Sequence, residues 1–345
     1  GFLPGLDLAQ SFYVEVIRPR LSATAHSAAL IGPGSDVLGY DDLRSTDHYW
    51  GPRLQVFVDE SDIEAAHRSL RALPVEHRGW PTRIGSDNIA FREHVDVWTI
   101  TDWVVGRLGL DPRQGMSAAD WLAVPQQLLL EATAGRVFHD GLDLLEPLRA
   151  SLSWYPDDVW RWLLACQWHR IAQEEAFVGR TAESGDELGS RVVAGRIVRD
   201  VMRLWLLFER SYAPYSKWLG TAFARLASTA EIKPILSEVL AAHTYPARES
   251  ALVSAYEAAA QQHNALGITA AQDPAARLYF ERPYRVIGAD RFANACLETI
   301  TDNELRALPL VGSVDQWADS TDVLSHPTRT HQLADWYRNL MSAAT

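Results

Sequence analysis

The sequence predicts an α+β chain, an α/β block over residues 1–110 followed by a larger all-helical bundle over residues 111–345. Three observations predict it. Apolar runs at residues 28–31 and 54–58 flank a glycine-serine turn, and a third run, Val95 to Ile100, alternates as a strand does. Beyond about Leu110 apolar residues recur at helical spacing, with Pro and Gly clusters between the segments.

In order, Leu6 to Leu21 reads as an amphipathic opening helix with Phe12, Val16 and Ile17 apolar. Strand, turn and strand follow to about Val58. Ser61-Asp62-Ile63-Glu64 resembles a capping box opening a helix to about Leu73, with Ala65, Leu70 and Leu73 on its apolar side. In the third strand Asp96, Trp98 and Ile100 share one face. The segments 117–135, 157–178, 191–210, 216–227, 232–243 and 247–266 are then expected to be helical, with no strand before the tail. The seam between such a block and bundle is where ligand sites are favoured.

The chemistry concentrates in Gly34-Ser35-Asp36-Val37-Leu38-Gly39 and Thr46-Asp47-His48-Tyr49-Trp50-Gly51-Pro52-Arg53. A Gly-Ser pair after a strand lets backbone approach a phosphate. Ser35 adds a hydroxyl, and a helix starting near Asp36 would aim free N–H groups at the same place. Asp47 is expected at the start of the next strand, facing the turn. A hard cation such as Mg²⁺ takes one or two carboxylates plus phosphate oxygens, so this pattern suits a nucleoside triphosphate. Gly and Ser also make ordinary turns. The run lacks the G-x-G-x-x-G of dinucleotide sites and the Gly-Lys-Ser/Thr of a P-loop.

Gly34-Ser35, Asp47 and a third strand carrying Asp96 resemble the polymerase-β-like nucleotidyltransferase superfamily. Gly34 to Gly39, Asp47 to Arg53, Gly185-Asp186-Glu187-Leu188-Gly189-Ser190-Arg191 and Pro214-Tyr215-Ser216-Lys217-Trp218-Leu219-Gly220 look more closely like a bacterial family of unknown function with such a domain. The resemblance implies a fold more firmly than an activity. It departs at one position. The superfamily places two carboxylates at i and i+2 of one strand, where they chelate the same metals, and here the partner of Asp47 is Tyr49. A phenol of pKa ~10 is a poor Mg²⁺ ligand. Asp36 supplies the missing oxygen, or one metal alone is held, or transfer has been lost. Asp41 and Asp42 read as loop solubilisers, and His48 as structural. Arg53 either clamps phosphate or pairs with an acid.

In the bundle, Trp160, Leu164, Trp168, Ile171 and Val178 form an apolar stripe, and Glu174 and Glu175 fall within its arc. A carboxylate there is a general base for an acceptor hydroxyl, as the resemblance implies, or a buried salt bridge to Arg180, Arg191 or Arg196. Lys217, just after Pro214, neutralises a triphosphate on that same resemblance, or snorkels over Trp218. The 185–191 segment is a helix cap or an acceptor contact. His139-Asp140 invites a metal phosphohydrolase reading, but further ligands are not at recognisable spacing. The tryptophans at 154, 160, 162 and 168 read as core.

At 345 residues the length suggests two domains. Net charge is −12, from 44 acids against 32 bases, so a duplex phosphate backbone would be repelled and a cationic small molecule drawn in. Cys166 and Cys296, the two cysteines, fit a reducing cytoplasm, and no apolar run is long enough to span a membrane. The expected activity is Mg²⁺-dependent transfer of an NMP from an NTP, ATP by preference, to a hydroxyl or amine of a small acceptor. Asp47 and Asp96, with Asp36, would hold the metal. Gly34, Ser35, Arg53 and Lys217 would hold the phosphates, and Glu175 or Glu174 would be the base. The alternative is a nucleotide-binding regulatory or interaction protein descended from such enzymes.

Overall fold

A computed structural model of the chain describes residues 2–47, 49–86 and 89–344. Two compact units are present. The first comprises Gly1–Met116, Gln127–Ser153 and His326–His331; the second comprises Ser117–Gln126, Trp154–Ser325 and Gln332–Thr345. The chain is therefore not cut once near residue 110. After a short excursion into the second unit, residues 127–153 return to the first.

The first unit is built on a mixed sheet of four strands, β1 (Ser27–Leu30), β2 (Leu54–Phe57), β3 (Val95–Trp98) and β4 (Arg136–Asp140), in the order β3-β2-β1-β4. β1 runs antiparallel to β2 and β4, and β2 runs parallel to β3 with Gln55 opposite Asp96 and Phe57 opposite Trp98. All of β1 and β2 is buried, which is why their sequences are nearly unbroken apolar runs. Period-two alternation divides β2 into two faces. Leu54 and Val56 join a core with Phe12, Tyr13, Val16, Ile17 and Leu21 of the opening helix and Leu70 and Leu73 of the next. Gln55 and Phe57 face the other way.

The opening helix is α-helical over Gly5–Phe12, widens to a π-turn at Tyr13–Ile17 and ends at Arg18–Arg20. The wider turn lets the adjacent pairs Phe12-Tyr13 and Val16-Ile17 all reach the core. The helix after β2 is Ile63–Ser69, preceded by a single 3₁₀ turn at Glu60–Asp62; no side chain caps it, so the expected capping box is not formed.

Three expectations require correction. No helix starts near Asp36: residues 35–39 form a turn in which Tyr40 N–H reaches the Ser35 carbonyl at 2.7 Å. Asp47 does not open a strand. It ends an exposed 3₁₀ turn, Leu43–Asp47, and β2 begins at Leu54, because Pro52 has no N–H for a ladder and Gly51 adopts φ 147°. The 117–135 segment is two helices, Ala118–Ala123 and Gln126–Thr133, split at Pro125, and is followed by β4 where no strand was expected before the tail. His48 lies outside the described residues.

The second unit is helical, with Asp157–Glu174, Phe177–Glu183, Glu187–Phe208, Ser216–Ala224, Ile232–Ala241 and Tyr245–Ala265 close to the expected spans. An antiparallel hairpin, Arg277–Tyr279 with Arg282–Val286, precedes Asp290–Leu297. Trp160, Trp162 and Trp168 are core, as their spacing implied, and Trp154 is half-buried. Each of the three buried indoles has an acceptor: the Leu207 carbonyl at 2.8 Å, the Leu308 carbonyl at 3.4 Å and His263 Nδ1 at 3.1 Å. Among the described residues no helix is long and apolar enough to cross a membrane.

Candidate functional site

A cavity of about 410 Å³ opens in the first unit on the face of β2 and β3 away from the core. The sheet contributes Arg53, Gln55, Asp96 and Trp98, with Ile31 and Pro33 from the end of β1; helix Ile100–Leu108 contributes Asp102, Trp103, Gly106 and Arg107. Asp96 and Trp98 arrive together because they alternate on one strand, and Gln55 joins them through the parallel register. Gln55 is fixed by accepting the Ile31 N–H at 3.0 Å.

Arg53 is the most deeply buried of the charges that line this cavity. It and Asp36 are each 1% exposed. Nε donates to Asp36 Oδ2 at 2.9 Å, Nη2 donates to Asp36 Oδ1 at 2.7 Å, and Nη2 also donates to the Pro33 carbonyl at 2.8 Å. Burial alone would lower the Arg53 pKa, but the charge and hydrogen bonds of Asp36, joined by a hydrogen bond with Tyr49, outweigh it and hold it above the usual value. The guanidinium is a permanent cation. Three of its five N–H groups are thus used, and Nη1 has no hydrogen-bond partner among the described residues. An unpaired buried donor costs about 1–3 kcal/mol, so this one needs explaining. The Tyr49 ring lies against the guanidinium with its centre 4.4 Å away, and Tyr49 also lines the cavity.

The Gly-Ser turn serves this ion pair. Gly34 sits at φ 142°, and a Cβ there would fall 2.2 Å from Arg53 Nη2 and 2.2 Å from Asp36 Oδ1. Only a glycine lets the chain pass over the bridge. Asp36, expected as a metal ligand, has both carboxylate oxygens on Arg53 and also accepts its neighbour's N–H, that of Val37, at 2.9 Å. Ser35 is half-buried and, like Gly34, does not line the cavity. Asp41, read as a solubiliser, accepts the Gly5 N–H at 2.7 Å and the Trp50 indole at 2.9 Å, and so ties down the start of the opening helix.

The remaining charges of the cavity are two acids and one base. Thr99 caps the helix that carries Asp102: its hydroxyl accepts the Asp102 N–H at 3.0 Å and donates to the Asp102 carboxylate at 2.8 Å. Arg107 pairs with the buried Glu131, which also accepts Gln127 Nε2 at 2.9 Å. Asp96 is half-buried on its strand and lines the cavity, whereas Asp47 does not. Among the described residues no group of three or more His, Cys, Asp or Glu side chains is gathered to hold a metal.

In the second unit both candidate bases are engaged. Glu174 accepts Arg196 Nε at 2.9 and 3.0 Å, one of the pairings its face suggested. Among the described residues Glu175 has no arginine as a hydrogen-bond donor: the N–H groups of Ile287, Gly288 and Ala289 reach its carboxylate at 2.8, 3.1 and 3.1 Å. Burial pushes its pKa up to about 7 against those three amides, and Asp290 adds to the rise. The void beside it measures about 10 Å³, no more than one water needs. Lys217 is exposed, its ammonium 4.9 Å from the Trp218 ring centre. Asp186 caps Glu187–Phe208 by accepting the Gly189 N–H at 2.8 Å. In the first unit Asp140 accepts the amides of Leu144, Leu145 and Glu146 at 3.3, 3.2 and 2.9 Å and the Ser27 hydroxyl at 2.6 Å, which makes it a helix cap. Burial opposes its ionisation, but those hydrogen bonds prevail and hold its carboxyl below the usual range.

Sequence reasoning named Arg53, Asp96 and Trp98 and passed over Gln55, Trp103 and Arg107. Gln55 had a signal, a lone polar residue within an apolar strand. Trp103 and Arg107 are one helical turn apart, a spacing that places both on one face.

A family model for a domain of unknown function (DUF4037) matches residues 121–219. The matched stretch includes β4, Glu174, Glu175 and Lys217, and begins after every residue that lines the cavity. No curated protein and no solved structure matches the chain.

Proposed function

We propose that the first unit binds a nucleotide in the cavity beside β2 and β3, as a binding relative of the nucleotidyltransferases its turn and strands resemble. One observation carries the reading: a carboxylate (Asp96), two guanidiniums (Arg53 and Arg107) and an indole (Trp98) converge on 410 Å³ of open volume. That volume lies in the ordinary range of small-ligand sites, roughly 300–1,000 Å³. Guanidiniums suit phosphate oxygens, and Trp98, 38% exposed, offers a face for a base. Mg²⁺ fits this site as part of the ligand: it takes one or two carboxylates together with phosphate oxygens, and Asp96 and Asp102 are the carboxylates that line the cavity, Asp102 with a hydrogen bond from Thr99. ATP is the first NTP to try.

Transfer of an NMP to a small acceptor is the second reading, and one observation favours it. A neighbouring cavity of about 340 Å³ shares Asp102 with the first and adds Asp59 and Glu60, while its Arg113 is paired with Asp111 at 2.7 Å. An acceptor bearing an amine cation would suit those acids. Asp36, spent on Arg53, and Asp47, on an exposed turn, favour binding without turnover.

The deciding experiment is a thermal-shift series with the four NTPs, with and without Mg²⁺, on the wild type and on Asp96→Asn. Ligand at a hundred times Kd stabilises by about 2.7 kcal/mol, which reads as a rise of several degrees. A shift that needs Mg²⁺ and shrinks in Asp96→Asn supports the reading. No shift with any NTP, or an undiminished one in the variant, removes it. Pyrophosphate release with candidate amines then separates transfer from binding.

A further inference from the structure

Resting on the nucleotide reading of the same cavity, we propose that Asp36 is a positioning residue. Its bridge to Arg53 turns the guanidinium so that the Nη1 edge meets a phosphate oxyanion. Neither metal ligation nor phosphate cradling is then the role of the Gly34-Ser35-Asp36 turn.

The arrangement has four parts. First, the Arg53 fork is held at three N–H groups by Asp36 Oδ1, Asp36 Oδ2 and the Pro33 carbonyl, at 2.7, 2.9 and 2.8 Å, so it cannot rotate about its long axis without breaking all three. Second, Asp36 is itself anchored, since Oδ1 accepts the Val37 N–H within the same turn. Third, Tyr49 holds the guanidinium from another side, its ring centre 4.4 Å away and its hydroxyl hydrogen-bonded to the same group. Fourth, Nη1 is buried and unpartnered among the described residues, in a side chain that lines a cavity large enough for a ligand. A planar fork with two N–H groups on one nitrogen is shaped for an oxyanion and poorly shaped for a cation or an apolar group. The carboxylate behind the fork keeps the guanidinium charged and fixed before a ligand arrives. Gly34 belongs to the same device, because any Cβ there would enter the bridge.

Lysine in place of arginine would keep the charge and lose the device: one ammonium cannot hold Asp36 and present two further N–H groups in a fixed direction. The expected signature is therefore loss of anion affinity in a variant whose charge is unchanged.

The test is calorimetric titration of Mg-ATP, and separately of metal-free pyrophosphate, into the wild type, Asp36→Asn, Arg53→Lys and the double variant Asp36→Asn/Arg53→Gln. The double variant removes both charges together, so it remains foldable where a single change would strand a buried ion. Affinity for both ligands is expected to fall about ten- to a hundred-fold in every variant, the worth of a charge-assisted hydrogen bond. Asp96→Asn should weaken Mg-ATP but not metal-free pyrophosphate. A folded double variant that binds pyrophosphate like the wild type overturns the proposal. So does a wild type that binds Mg-ATP yet ignores pyrophosphate, and that result leaves the nucleotide reading standing. A wild type that binds neither overturns both.

Discussion

Replacing Gly34 by alanine places a methyl group where two buried atoms already are. The added Cβ would lie 2.2 Å from Arg53 Nη2 and 2.2 Å from Asp36 Oδ1, well inside van der Waals contact, so the bridge must open or the turn must move. Both partners are 1% exposed, and separating them leaves uncompensated charge in the interior, at about 3–5 kcal/mol. A side chain at φ 142° adds about 1 kcal/mol of backbone strain. Partial relaxation offsets some of this sum, and the expected loss is about 3–5 kcal/mol. Urea denaturation followed by far-UV circular dichroism measures it, with Gly220→Ala as the control. Gly220 lies in Ser216–Ala224, where an added methyl would meet nothing within 4 Å, and alanine there is expected to stabilise by about 0.5–1 kcal/mol. A Gly34→Ala protein within about 1 kcal/mol of wild type would refute the reasoning, because the ion pair could not then be packed against that backbone.

Three further outcomes follow from the geometry. Glu175 holds its proton up to about pH 7 in the folded chain against 4.5 for an ordinary glutamate, so the folded state binds more protons than the unfolded one in that window. Stability should fall as pH rises from about 4.5 to 7, by at most about 3.5 kcal/mol at ~1.4 kcal/mol per unit, and Glu175→Gln should flatten that slope in pH-dependent urea melts. Asp140→Ala removes the cap of Leu145–Ser151 and strands the Ser27 hydroxyl; a loss of about 1–2 kcal/mol is expected, with ATP affinity unchanged in titration calorimetry. Lys217→Ala is expected to leave ATP affinity within about two-fold, since its ammonium packs over Trp218 and a surface cation of this kind contributes little; a ten-fold loss would assign it to the phosphates instead.

What was legible in the sequence was what local pattern determines. β1, β2 and β3 announce themselves by apolar runs or alternation, and the long helices by their spacing, because burying a face requires that periodicity. Asp96 and Trp98 fell on one face for the same reason. β4 was missed: its five residues follow a helix directly, and only pairing with the buried β1 makes Arg136–Asp140 a strand. The Asp36–Arg53 bridge joins residues on opposite sides of a loop, and no local pattern reports such a pairing. Glu175 was expected as a general base or as the partner of an arginine, yet its carboxylate accepts three main-chain amides, and amides carry no sequence signature. The strand expected at Asp47 ignored Gly51-Pro52, a breaker in plain view.

The central claim is tested most directly by a crystal structure of the wild-type chain grown with Mg²⁺ and a non-hydrolysable ATP analogue. The nucleotide is expected in the cavity between β3 and helix Ile100–Leu108, with a phosphate oxygen within hydrogen-bonding distance of Arg53 Nη1 and the metal against Asp96. A nucleotide bound elsewhere on the chain, with that cavity holding only solvent at saturating ligand, would contradict it.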